Sequence, residues 1–269
     1  TDAVFVFSRH DSHADYVVKA LSHHKPVFVE KPLASNPQQL AEVQHAFVSE
    51  LEQGGSPFVM VGFNRRFAPL TRELRNFFAK RREPMMVHVR INAGHLPPGH
   101  WTHEDGGRIV GELCHFVDWA RFVVDSSIET VQASALPDGT RYQRDNVAST
   151  LRFQDGSIAN LLYLANGDKT VPKEYFEVFC EGSVARLEDF RVLSLTRNGK
   201  TRQIKLKRDK GHSRELELTV EAIRSGQSAP IPFQQLVEVT EATFAIHRAI
   251  ANDEVATLGT QVPGLASKV

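Results

Sequence analysis

Short apolar runs alternate with amphipathic stretches over the first third of the chain. Val4-Phe5-Val6-Phe7 reads as a strand. Asp11 to His24 carries Ala14, Val17, Val18 and Leu21 at helical spacing, and Val27-Phe28-Val29 forms a second strand. Asn36-Pro37 opens the next helix, with Asn as N-cap and Pro at the first position. Leu40, Val43, Phe47 and Leu51 line one face of it, and Gly54-Gly55-Ser56-Pro57 ends it. Phe58 to Phe63 is a third strand, and Pro69 to Lys80 a further helix. Strands alternating with helices predict βαβ units and a parallel sheet.

The pattern changes after Pro84. Met86 to Ile91 is strand-like, Asn92 to Gly107 is irregular, and helical spacing resumes over Ile109, Leu113, Phe116, Val117 and Ala120. Three hairpins follow. Val147–Phe153 and Ile158–Leu164 flank Gln154-Asp155-Gly156-Ser157; Phe176–Cys180 and Val184–Leu187 flank Glu181-Gly182-Ser183. Val192–Thr196 and Arg202–Leu206 flank Asn198-Gly199, the strongest short hairpin signal. Helices over Ser213–Ser225 and Phe233–Ala251 close the pattern. The expected fold class is α/β plus α+β: a partial Rossmann-like parallel sheet in residues 1–84, then a mostly antiparallel sheet domain with helices in residues 85–269.

Composition narrows the function classes. Lys+Arg and Asp+Glu both number 32 in 269 residues, so the formal charge is zero, which argues against nucleic acid or an acidic membrane surface as partner. No apolar run approaches the roughly 20 residues of a membrane span, and the first residues carry no signal-peptide pattern. Cys114 and Cys180 have no metal or redox spacing, so a cytoplasmic protein is expected.

The strand Val27–Val29 runs into Glu30-Lys31-Pro32. Strand C-termini are where parallel sheets hold ligands. Lys31 there is either a donor to a reacting oxygen or a surface lysine paired with Glu30. Ser8, Arg9, His10 and His13 follow the first strand at a helix start, a place suited to cofactor contacts; alternatively, His13 caps the helix. Of Arg65 and Arg66, one can meet a substrate phosphate or carboxylate in bidentate fashion and the other pair with an acidic neighbour. His95 to His103 is histidine-rich, but the spacing is no zinc pattern, and no metal is expected. Trp101, with His103, suits a ligand-contacting loop in which the indole is a stacking platform, and Arg108 can meet a polar ligand group. The basic runs Lys80-Arg81-Arg82 and Lys205 to Lys210 read as solvated ends. Cys114 reads as core. No G-x-G-x-x-G follows a strand, although that turn is what closes backbone amides on a pyrophosphate.

Ordered segments resemble the Gfo/Idh/MocA (glucose-fructose oxidoreductase, inositol dehydrogenase, rhizopine catabolism) family. They are Asp2–Val6, Arg9–Ala14, Val29-Glu30-Lys31-Pro32-Leu33, Val61–Phe67, and Gly106-Gly107-Arg108 running into Glu112–Asp118. Asn64–Pro69, Gly111–Asp118 and Tyr163–Lys169 are closer to members fused behind a zinc-alcohol-dehydrogenase-like segment. The resemblance implies an NAD- or NADP-dependent oxidoreductase acting on a hydroxyl of a sugar, cyclitol or nucleotide-sugar. It implies Lys31 and His115 as catalytic, Glu30, Lys31 and Pro32 beside the cofactor, and a homo-oligomer through the antiparallel sheet. The family's aspartate four residues before the histidine is Gly111 here. Glu112, three residues before His115, replaces it, or orientation comes from elsewhere. The same resemblance leads us to expect a fragment lacking the first Rossmann strands, and weak cofactor binding by this chain. A hydrolase or epimerase using transient oxidation, and a non-catalytic binding or dimerisation module, are the alternatives.

Overall fold

The computed structural model describes residues 1–104, 106–252 and 254–258. Its first sheet has three parallel strands, β1 (Val4–Val6), β2 (Val27–Val29) and β3 (Val59–Val61), in the order β1-β2-β3. The pairs Val4↔Val27 and Val27↔Val59 set the register. Every residue of β2 and β3 is buried, as expected of strands covered on both faces. α1 (His13–Ser22) begins after a 3-10 turn at His10–Ser12, so the stretch expected as one helix from Asp11 is split. α2 (Pro37–Glu52) starts as predicted: Asn36 Oδ1 accepts the Gln39 amide at 3.0 Å, and Pro37 holds the first position. β3 ends in a 3-10 turn, Asn64–Phe67, before α3 (Pro69–Phe77). α3 stops three residues short of the expected Lys80.

The change of grammar falls between α3 and β4 (Met86–Asn92). The second sheet has nine strands: β4, β5 (Ile128–Ala135), β6 (Asn146–Phe153), β7 (Ile158–Leu164), β8 (Glu174–Cys180), β9 (Ser183–Glu188), β10 (Val192–Arg197), β11 (Lys200–Lys205) and β12 (Ala256–Thr257). Their order is β11-β10-β9-β8-β4-β7-β6-β5-β12, with β4–β7 the one parallel pair. The three predicted hairpins are β6–β7, β8–β9 and β10–β11. β5 escapes the sequence pattern because it is rich in small and polar residues, and its fully buried side chains are Ile128 and Val131.

One side of this sheet is covered. A π-helical turn, Ile109–Leu113, leads into α4 (Cys114–Val124), and α6 (Phe233–Asn252) lies along β5. α5 (His212–Ser225) packs on the Asn64–Phe67 turn. A continuous apolar core joins both sheets. Trp119 of α4 is fully buried and donates Nε1–H to Thr71 Oγ1 of α3 at 3.0 Å. Phe47 of α2 stacks face to face on Phe233 of α6. The parallel sheet is thereby held against the larger one, which creates a fixed cleft at the strand ends. No described helix is long and apolar enough to cross a membrane.

Candidate functional site

Lys31 stands just beyond β2. Its Nζ crosses the cleft and donates to the carbonyl of Gly111 at 2.7 Å. Gly111 belongs to the π-helical turn, where the wider i→i+5 ladder disturbs the usual carbonyl pairing, a feature common at functional sites. His115 lies one turn later. Its ring meets Phe63 edge-on, with centroids 6.3 Å apart, and its Nδ1 is buried with no hydrogen-bond partner. Burial, then the positive fields of Arg65, Lys31, Lys210 and His212, hold its pKa well below the ordinary histidine value. The ring is therefore neutral near pH 7, with a nitrogen able to accept a proton.

Glu30 packs its carboxylate against Gly62, where a Cβ would lie 3.0 Å from Glu30 Oε2. The Lys31 amide donates to Glu30 Oε2 at 3.3 Å. His13 is fully buried, and its Nδ1 and Nε2 lie 2.8 Å from Pro32 O and 3.1 Å from Ser8 O. Its side chain does not cap α1. It ties the loop after β1 to the loop after β2, and so holds Lys31 in place. Ser8 and Arg9 are exposed at the cleft mouth; Ser8 Oγ is 2.7 Å from Ser12 Oγ, and Arg9 pairs with Glu104 at 2.5 Å while its guanidinium lies over Trp101. Trp101, 40% exposed, presents its ring edge-on to His10 at 5.1 Å.

The arginines differ from expectation. One was expected to pair with an acidic neighbour, and in the structure both do. Arg65 grips Glu174 with Nε (3.2 Å) and Nη2 (2.8 Å), and Arg66 Nε bonds Asp118 at 2.7 Å. The reason is burial: at 7% and 5% exposure, each guanidinium needs an anion inside the protein. Glu174 also accepts from Lys210 Nζ at 2.6 Å. Burial pushes the Glu174 carboxyl up, but Arg65 and Lys210 outweigh it and hold the pKa below the ordinary range.

Glu112 is likewise engaged away from His115. It accepts from Arg108 Nε (3.3 Å) and Nη2 (3.0 Å) and from the Tyr163 hydroxyl, with Lys173 Nζ 3.6 Å away. Burial raises its pKa, and Lys173 and Arg108 more than reverse that. With its carboxylate held by Arg108, Tyr163 and Lys173, Glu112 makes no hydrogen bond to His115 among the described residues. Arg108, 4% exposed, bonds Glu112 and donates to Gly94 O at 2.8 Å, and it borders a cavity shared with His103. His103 lines a cavity of about 360 Å³ with Asp138, Arg144 and His247.

Two residues come to the site unannounced by the sequence. Lys210, expected as a solvated end, is pinned to Glu174, and its carbonyl accepts from Asn64 Nδ2 at 2.7 Å. Next to it Gly211 has φ +89°, and a Cβ there would lie 2.4 Å from Ala68 N and Asn64 O. Only glycine lets this loop lie so close to the turn after β3. His212 is thus brought into the fields of Arg65, Glu30 and Lys210. The Gly after a Lys and before a helix was the one available hint.

Comparison with known proteins agrees with this architecture. A model described as "Oxidoreductase family, NAD-binding Rossmann fold" matches residues 1–53, and one described as "GFO/IDH/MocA C-terminal domain" matches residues 83–185. Inositol 2-dehydrogenase 2 of Saccharopolyspora erythraea is 34% identical over 135 residues, 49% of this chain and 38% of that protein. Inositol 2-dehydrogenase 2 of Paenarthrobacter aurescens is 30% identical over 207 residues, 75% of this chain and 61% of that protein. The matched regions thus span less than two thirds of each of these relatives. An oxidoreductase domain protein from Kribbella flavida superposes with a TM-score of 0.84 at 19% identity, covering 96% of this chain and 80% of that structure, which is a likeness of fold. Two consecutive family models, matched in order over the two sheets whose junction holds Lys31 and His115, lead to one assignment: this chain belongs to the Gfo/Idh/MocA oxidoreductase family.

Proposed function

We propose that the protein oxidises a secondary hydroxyl of a sugar or cyclitol with NAD as acceptor. The observation that carries this reading is the reach of Lys31 Nζ to the Gly111 carbonyl, one helical turn before a neutral, unpartnered His115. A nicotinamide held at these strand ends would supply the hydride acceptor for the carbinol carbon. Lys31 donates to the reacting oxygen and stabilises the charge that grows there. His115, kept neutral by burial and neighbouring cations, accepts the hydroxyl proton. Ser8, Arg9, Glu30 and Pro32 at the strand ends are the residues to hold the nicotinamide end. The unpartnered His115 Nδ1 fits such an occupant, because a buried ring nitrogen is otherwise costly. The inositol dehydrogenase relatives favour a cyclitol over a nucleotide-sugar.

The test is a panel of polyols with NAD, read by nicotinamide absorbance. Lys31→Met and His115→Asn should each lower kcat on the order of 10²–10⁴-fold with unchanged circular dichroism. Wild-type activity that survives both changes would remove the site from the chemistry. We further propose that a second copy covers the open side of the larger sheet. Met86 and Phe179, directly paired across β4 and β8, are 45% and 41% exposed there. Phe179→Glu should then reduce the sedimentation coefficient; an unchanged value would argue against that interface.

A further inference from the structure

His10 is unusual among the polar residues of the cleft. It is 7% exposed, yet no described residue bonds either of its ring nitrogens. The ring is nevertheless fixed on several sides. Its edge faces Trp101 at 5.1 Å and His13 at 5.8 Å, and its own carbonyl accepts from Ser35 Oγ at 3.2 Å.

The fourth side is Gly111. A Cβ built at Gly111 would lie 2.7 Å from His10 Cε1 and 3.2 Å from Nδ1. The imidazole therefore fills the volume that a side chain at position 111 would take. The carbonyl of that same glycine receives Lys31 Nζ at 2.7 Å. A cationic donor and a free imidazole thus converge on one backbone position. Burial first, and Lys31 second, lower the His10 pKa to about 4, so the ring is neutral and can accept a hydrogen bond near pH 7. An acceptor beside a donor suits a ligand with neighbouring hydroxyls: one oxygen receives from Lys31, and the next O–H is given to the imidazole.

We propose that His10 is a substrate-binding residue, the acceptor for the polyol hydroxyl adjacent to the one held by Lys31, in a slot that exists because residue 111 is glycine. The inference rests on reading the site as a polyol dehydrogenase, and it assigns His10 to the polyol rather than to the cofactor.

His10→Phe keeps an aromatic ring against Gly111 and Trp101 but removes the acceptor. It should raise KM for the polyol about tenfold, the worth of one neutral hydrogen bond, with KM for NAD and the melting temperature unchanged. His10→Asn should recover part of the loss. Gly111→Ala should reproduce the effect of His10→Phe, because its methyl displaces the ring, and the two changes together should cost no more than either alone. An unchanged polyol KM in His10→Phe, or a change confined to KM for NAD, overturns the proposal.

A second readout separates this proposal from the function it rests on. The His10 Cε1 proton is followed by NMR during titration with the same polyols. If the protein turns over none of them but the His10 resonance moves, the dehydrogenase reading falls and the His10 site stands. If turnover is seen and neither KM nor the resonance responds to His10, the reading stands and the His10 site falls. Neither turnover nor a shift removes both.

Discussion

Glu215 offers a direct measure of how the cleft treats charge. It lies in the first turn of α5, 2% exposed, with Oε1 buried and unpartnered. Burial, then the neighbouring Glu30 and Asp118, raise its pKa from 4.5 to about 9, and Arg65 offsets this only in part. The folded chain therefore keeps the Glu215 proton where the unfolded chain has lost it. Because the folded-state pKa is raised, stability falls as pH rises from 4.5 to about 9 and then levels off. Each unit of pH in that window is worth about 1.4 kcal/mol, so at about pH 7 the ionisable side chain costs about 3 kcal/mol. Glu215→Gln keeps the shape and is neutral throughout. We expect it to be equal to wild type near pH 4.5 and more stable by about 3 kcal/mol near pH 7. Urea unfolding followed by tryptophan fluorescence, run on both proteins at a series of pH values, measures this difference. A difference that does not grow with pH, or a Gln variant less stable at neutral pH, would refute the reasoning.

Gly211→Ala should destabilise by about 3 kcal/mol or more, since φ +89° and backbone atoms at 2.4 Å leave no room for a methyl group; thermal unfolding reads the loss. Cys114 is 2% exposed with its thiol pushed up to about 12 by burial, so thiol reagents should label it only after unfolding, as mass spectrometry of native and denatured samples will show.

The strands β2 and β3 were legible because fully buried parallel strands leave short apolar runs between breakers, β1 by a similar apolar run although it is only partly buried, and α2 down to its Asn36 cap. The hairpins followed from turn chemistry at Gly156, Gly182 and Gly199. β5 was not legible, since its pairing with β6 rather than its composition makes it a strand. In the cleft, Lys31 and His115 were singled out through the family likeness, and the structure places both at the junction of the two sheets. The internal pairing of Arg65 and Arg66 was not legible, because an exposed arginine and a buried, ion-paired one look identical in sequence, and the partners Glu174 and Asp118 lie 109 and 52 positions away.

The sequence by itself determined the two sheet types, the family, and the residue types available at the strand ends. These are local matters of periodicity, turn residues and short motifs. The tertiary structure decided which charged groups are spent on each other and which remain free. It withdrew Glu112 from His115, drew Lys210 and His212 into the cleft through the close approach of Gly211, and set His10 against Gly111. Apart from the local Arg108–Glu112 pair, those outcomes depend on contacts between residues 36 to 146 positions apart. Desolvation and pairing at such distances are properties of the packed chain, and no local pattern encodes them.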